Sequence, residues 1–549
     1  MTPSPTSSGP APAPVPSLPP LPPLPVDDRA WWHGGVGYQI YPRSFADTTG
    51  DGTGDLWGVV EHVDHIADLG VDFVWLNPVY PSPGLDHGYD VADYRDIDVT
   101  MGGMVAFEAV RDALHERGIR LLMDIVPGHT SDRHPWFQSA LQGKDSPDRD
   151  IYVWRDPGPD GGPPNNWVSI FGGSAWAFDE ASGQYWMHRF LPEQPDLNWR
   201  NPEVAERMEQ VLRFWFERGI DGFRVDVAQG MLADPTWADR PEPPAELDQE
   251  AARNWMIAAY MGQPDTPALW ERWRRVADEY DALLLGEVYL QDPVEVATYA
   301  TDQRLHRAFY LPLQHIGWDC EQLTDRLRVA VAAGRGRFAW PQSSHDDPRA
   351  GTRFGGGTEG TRRALAFFHL ISTLPGNPVM LAGDELGLDN GDVPDTHAED
   401  PVTVRNDGRD DGRDGSRTPM PWDHEQDNWG FTTGTPWLPI GVNRTPDQSV
   451  AVQAADPTSP LQRMRTLLAA RKGLEGMLAT NEVDWLDLHG QVIALRRGDV
   501  VAVCNIGPQV AVTMPGPGRI VAASNDDATL VDTHLTLGTD TTAIVAMAS

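Results

Sequence analysis

The stretch Gly222-Phe223-Arg224-Val225-Asp226-Val227 decides how this chain is read. It is an apolar strand carrying one arginine and one aspartate two residues apart, so both side chains leave the same face. A strand covered on both faces does not hold two charges unless they neutralise each other or the strand ends in a site. A buried Arg–Asp pair satisfies the pattern by itself. The choice between the two readings rests on whether the pattern recurs.

Working outward, short apolar runs at 36–41, 73–78, 121–126, 222–227, 283–288, 308–313, 338–343 and 378–381 alternate with amphipathic stretches at 56–69, 104–117, 202–218, 266–280, 294–300, 320–333 and 359–372. Eight strands with helices between them predict an α/β fold, a parallel (β/α)8 TIM barrel. Two spacings break the rhythm. Residues 129–198 are rich in Gly, Pro, Asn, Asp and Trp and read as a domain inserted after strand 3. A polar, Asp-rich and Gly-rich segment follows strand 8, and loops of that length are usually functional. A helix over 461–474 closes the barrel, and the alternation beyond 479 predicts a C-terminal antiparallel β-sandwich. The chain therefore divides into a Pro-rich tail at 1–28, read as disordered, a barrel at 29–128 and 199–476, the inserted domain at 129–198 and a β domain at 477–549.

The charges recur where the barrel puts its chemistry. Catalytic side chains of such barrels stand at the C-terminal ends of the strands. Here the third strand leads into Asp124-Ile125-Val126-Pro127-Gly128-His129, the fourth holds Arg224 and Asp226, the fifth ends Gly286-Glu287-Val288-Tyr289, and the seventh ends Ser344-His345-Asp346-Asp347. Asp86-His87-Gly88-Tyr89-Asp90 follows the second. Structural ion pairs do not converge on one opening in this way, so the functional reading is preferred.

Composition narrows the chemistry. The net charge of −37 repels phosphate backbones and anionic lipid, which points to a small neutral substrate and away from nucleic acid or membrane partners. Cys320 and Cys504 are the only cysteines, too few for a disulfide framework, and no apolar run is long enough to span a membrane; with no secretory pattern at the N-terminus, the cytoplasm is the expected location. No phosphate-binding Gly-rich loop with its lysine and no HExxH helix is present. Several carboxylates without a histidine cluster suit glycoside hydrolysis, in which one carboxylate works at the anomeric carbon and a second, protonated, serves the leaving oxygen. The 21 tryptophans, among them Trp31, Trp32, Trp167, Trp176, Trp186 and Trp199, offer flat faces that suit sugars as well as cores.

These motifs, in this order, resemble glycoside hydrolase family 13, the α-amylase family, over roughly residues 31–549. Gln194-Pro195-Asp196-Leu197-Asn198 and Arg417-Thr418-Pro419-Met420-Pro421-Trp422-Asp423 are similar to marks of its oligo-1,6-glucosidase and α-glucosidase subgroup. The resemblance implies Asp226 as nucleophile, Glu287 as general acid/base and Asp346 as the carboxylate that steadies the oxocarbenium-like state. It implies Asp86, Tyr89, His129, His345 and Arg417 as the grip on the terminal glucose, with Arg224 holding Asp226. Phe171, Phe190 and Gln194 would wall the aglycone side. It further implies a retaining, exo-acting α-glucosidase on substrates such as maltose. Alternatives on the same scaffold are an oligo-1,6-glucosidase or a disaccharide isomerase or transglucosidase.

The loop from Asp47 to Asp55 places acids at every fourth position among glycines, a spacing that suits a hard cation. It resembles the first-loop metal site of the subgroup, so Asp47, Thr49, Asp51, Thr53 and Asp55 are expected to bind Ca2+ or Mg2+ at a structural site, with no organic cofactor. Thr49 stands where the subgroup usually has Asn. Likewise Gly128, Ser344 and His87 stand where Asn is usual.

Overall fold

The computed structural model describes residues 30–247, 249–405 and 412–548. The Pro-rich tail lies outside them. Eight strands form a closed barrel: β1 (Gly37–Ile40), β2 (Phe73–Leu76), β3 (Arg120–Ile125), β4 (Gly222–Val225), β5 (Leu283–Gly286), β6 (Arg307–Phe309), β7 (Phe338–Pro341) and β8 (Asn377–Leu381). Each pairs in parallel with its neighbours in chain order, and β1 closes on β8. The strands are buried on both faces, which is why they read as apolar runs. Gly222 opens β4 because a β-carbon there would stand 2.3 Å from the Leu283 carbonyl oxygen of the next strand.

Seven of the eight strands stop short of their predicted C-terminal ends, and β8 ends at Leu381 as predicted. β4 ends at Val225, and Val227 turns the chain with φ of +42°. A few interstrand hydrogen bonds outlast the ladder: Asp226 N donates to Ile125 O at 2.9 Å and Glu287 N to Val225 O at 2.9 Å. Those bonds fix the backbone under both acids. The helix predicted over 56–69 is two helices, Leu56–Glu61 and Val63–Leu69. They break at His62, whose ring stacks on Trp422 with centroids 3.5 Å apart and planes 7° from parallel.

Between β3 and β4 lie a short helix, Pro135–Ala140, and a three-stranded antiparallel sheet of Trp154–Arg155, Gln184–Met187 and Trp176–Asp179. Of the two uses open to the tryptophans, the core takes them: Trp32, Trp167, Trp176 and Trp199 are buried, and Trp31 and Trp186 pack against the core. After the helix Pro460–Lys472 come a five-stranded and a three-stranded antiparallel sheet. They share a buried layer that includes Val501, Val503, Leu535, Leu537 and Val545, as in a β-sandwich. Among the described residues, no helix is long and apolar enough to cross a membrane.

Candidate active site

Arg224 organises the strand ends. It is 2% exposed, and its Nη1 donates to Asp226 Oδ1 at 2.7 Å and to Asp124 Oδ1 at 2.9 Å. Its Nη2 lies 3.0 Å from Glu287 Oε2. The same Glu287 oxygen accepts the Val227 N–H at 2.7 Å, a bond that the left-handed turn at Val227 makes possible. One oxygen of each acid is thus anchored. Asp226 Oδ2 and Glu287 Oε1 take no hydrogen bond from a described residue. Burial pushes Asp226, Glu287 and Asp124 all upward, Asp124 to about 7; Arg224 pulls each back, while other acids of the site add to the rise. One guanidinium cannot balance three buried carboxylates, so this group holds at least one proton near neutrality.

Beside it, His345 Nε2 meets the Tyr89 hydroxyl at 2.8 Å, and His345 Nδ1 meets the Gln39 amide nitrogen at 2.8 Å. The Tyr89 and His345 rings are stacked, 5° from parallel. Burial keeps His345 well below its usual value, hence neutral. Asp346 is different. Burial would raise it, but His345, Arg413 and Arg417 hold it below the usual carboxylate range. With the imidazole neutral, the guanidiniums carry that effect: Arg413 Nη1 at 3.1 Å and Arg417 Nη2 at 3.0 Å both donate to Asp346 Oδ1.

The third group closes one side. Gln194 Nε2 donates to Asp86 Oδ2 at 3.0 Å and lies 3.1 Å from His129 Nε2. Phe190 packs against both His129 and Phe171, each pair with centroids 5.2 Å apart. Burial pushes Asp86 up to about 6 and brings His129 down to about 3. Arg413 ties this group to the others. It reaches Asp86 at 3.4 Å, stands 5.3 Å over the Phe171 ring, and is held by Asp400 through two bonds of 2.8 Å. Arg224, Glu287, Tyr289, His345, Asp346 and Asp347 line one pocket, floored by barrel residues that include Trp75, Phe309, Leu311 and Val379.

A catalytic-domain model described as "Alpha amylase, catalytic domain" matches residues 39–479. The chain belongs to the alpha-amylase family. It is 37% identical over 485 residues to the oligo-1,6-glucosidase of Parageobacillus thermoglucosidasius, covering 81% of this chain and 84% of that one. It is 39% identical over 488 residues to a probable alpha-glucosidase of Rhizobium meliloti, with 86% and 87% covered. The crystal structure of the alpha-glucosyl transfer enzyme XgtA superposes with a TM-score of 0.88 at 34% identity, covering 94% of this chain and all of that one. As an alpha-amylase family member with α-glucosidase relatives, the protein is a glycoside hydrolase.

Within this alpha-amylase barrel, the structure brings Asp86, Tyr89, His129, Phe171, Phe190, Gln194, Arg224, Asp226, Glu287, His345, Asp346 and Arg417 into one connected network. The acidic loop does not join it. Asp47 accepts from Thr49, Gly50, Gly52 and Thr432, Asp51 accepts from Thr53 N, and Asp55 caps the helix Leu56–Glu61 while bonding Thr48. Among the described residues, no three His, Cys, Asp or Glu side chains are gathered so as to hold a metal ion. The sequence pattern singles out neither Arg413 nor Asp400, nor the anchoring role of Asp124.

Proposed function

We propose that this glycoside hydrolase is a retaining, exo-acting α-glucosidase that removes terminal α-linked glucose from short neutral oligosaccharides such as maltose. The observation that carries the reading is the sharing of Arg224 between Asp226 and Glu287, with the second oxygen of each acid taking no bond from a described residue. The chemistry puts the proton of the group on Glu287, the acid that must serve the leaving oxygen, with Asp226, bonded at 2.7 Å to the guanidinium, as the carboxylate. Asp226 Oδ2 attacks the anomeric carbon as its bond to the leaving oxygen breaks. Glu287 passes its proton to that oxygen and a β-glucosyl ester forms on Asp226. Glu287, now a carboxylate, takes a proton from water, whose oxygen attacks the same carbon and releases Asp226. Asp346, kept anionic by Arg413 and Arg417, steadies the positive charge that develops in both steps. Asp86, His129 and Arg413, joined by Gln194 on this glucose side and not on the aglycone wall expected of it, make one end of the site a closed wall, which favours cutting single residues from a chain end.

The linkage is decided by a hydrolysis panel of maltose, isomaltose, trehalose, sucrose and longer maltodextrins. Glucose released fastest from maltose supports the reading, and isomaltose as preferred substrate replaces it with an oligo-1,6-glucosidase. A second reading, transfer or isomerisation, is favoured by the similarity to a glucosyl transfer enzyme. A disaccharide isomer as main product would establish it. We further read the chain as cytoplasmic, divided as 29–128 with 199–476, 129–198 and 477–549. A structural Ca2+ or Mg2+ at the loop Asp47–Asp55 rests on the spacing of its acids. A higher unfolding temperature in Ca2+ than in EDTA supports it, and identical curves remove it.

A further inference from the structure

Three residues on the open side of the mouth form a set of their own. Tyr289 lies two residues beyond Glu287, past β5. His315 ends the turn Leu311–His315 that follows β6, and Asp347 follows Asp346 beyond β7. They thus come from three consecutive strands. The Tyr289 hydroxyl is 2.5 Å from His315 Nε2 and 3.4 Å from Asp347 Oδ1, and His315 Nε2 is 3.6 Å from that oxygen. Ser344 Oγ stands 3.4 Å from the other Asp347 oxygen. Glu287, Tyr289, Asp346 and Asp347 line the same cavity.

Exposure separates this set from the rest of the site. Tyr289 is 37% exposed and the His315 side chain 36%, whereas Asp86, Tyr89, His129 and Gln194 are buried. In the eight-strand order, β6 faces β2 across the barrel. A glucose held by Asp86, Tyr89 and His129 after β2 and β3 therefore has its scissile bond between those residues and this set. The leaving group departs past Glu287, the acid that must protonate it. A tie needed only for folding does not require a tyrosine ring presented to solvent at the edge of the catalytic cavity.

The geometry points to Tyr289, His315 and Asp347 as the recognition element for the leaving group, selecting an uncharged sugar with free hydroxyls. This rests on the α-glucosidase reading above. The Tyr289 ring offers a face to a pyranose, and the imidazole and carboxylate offer a donor and an acceptor to its hydroxyls. Asp347 joins Glu287 and Asp346 at this mouth. Among the described residues, the guanidinium lining the cavity is Arg224, already shared by three acids. Among the described residues that line this cavity, a phosphorylated leaving sugar would meet carboxylates and no unpaired guanidinium.

The test compares maltose, 4-nitrophenyl α-glucoside, and maltose phosphorylated at O6 of its reducing glucose, on the full chain and on His315→Ala, Tyr289→Phe and Asp347→Asn. We expect each variant to lower the ratio of kcat/KM for maltose to that for the aryl glucoside by about tenfold, the loss of one useful hydrogen bond. The unaltered enzyme should cleave the phosphorylated maltose at least about tenfold more slowly than maltose, and Asp347→Asn should narrow that gap. Maltose and aryl rates falling in parallel in all three variants, or phosphorylated maltose cleaved as fast as maltose, would overturn the assignment. Failure of the unaltered enzyme to cleave any α-glucoside would instead sink the reading of the site itself.

Discussion

Arg224 Nη1 stands 2.7 Å from Asp226 Oδ1, two residues further along the same chain, and Nη2 of the same guanidinium reaches Glu287. One planar fork therefore sets the relative position of both working acids. Arg224→Lys keeps the charge and loses the fork. Its kcat should fall at least about a hundredfold, the scale for removing one preorganised donor. Arg224→Met should cost about 3–5 kcal/mol of stability by urea unfolding, because it leaves buried carboxylates uncompensated. Near-normal turnover in Arg224→Lys would show that the shared fork is not needed.

Asp226 belongs to a set of three acids that burial and mutual repulsion push upward. Asp226→Asn relieves that crowding at constant volume. Turnover should drop by about 10,000-fold or more, as expected for a lost nucleophile, while the urea midpoint stays level or rises. A large loss of stability with activity retained would make Asp226 half of a structural ion pair.

Glu287 is raised by burial, with Arg224 drawing it back and Asp346 adding to the rise. A raised folded-state value keeps the acid form present above the ordinary glutamate range. Activity should accordingly persist past that range and decline as pH rises through the raised value. Glu287→Gln should lose maltose hydrolysis far more than cleavage of 4-nitrophenyl α-glucoside, whose leaving group needs no proton. Its remaining aryl activity should lack the alkaline decline in a pH–rate profile of kcat/KM. Equal losses on both substrates would exclude Glu287 as the acid.

Val227 adopts φ of +42°, a conformation that a β-branched residue resists. Such strain costs of order 1–3 kcal/mol and is retained where the surroundings impose it. Here it turns the Val227 N–H onto Glu287. Val227→Asn keeps that N–H and suits the left-handed turn, so the protein should gain about 1 kcal/mol in urea unfolding. A loss of stability would show that packing of the valine outweighs the strain.

The sequence made the barrel legible because strands buried on both faces are bare apolar runs. Its ends were overshot for the same reason. Val126 and Val288 are as apolar as the strands, but the chain has already turned toward the site there. The break at His62 left no trace because both half-helices share one buried face. The inserted sheet has strands of only two to four residues, too short for alternation to register. In the site, each acid at a strand end was legible because a lone charge closing an apolar run is costly. Arg413 was not, because it sits in a loop crowded with Asp and Arg where no period marks one cation from the next. Its role appears only once Asp86, Asp346 and Asp400 are seen to meet on it.

The account stands on Asp226 and Glu287 acting in succession on one anomeric carbon. Proton NMR of the first minutes of 4-nitrophenyl α-glucoside hydrolysis, before mutarotation, reads this directly. Double displacement predicts that the freed glucose appears first as the α-anomer. Appearance of β-glucose first would contradict the covalent intermediate on Asp226.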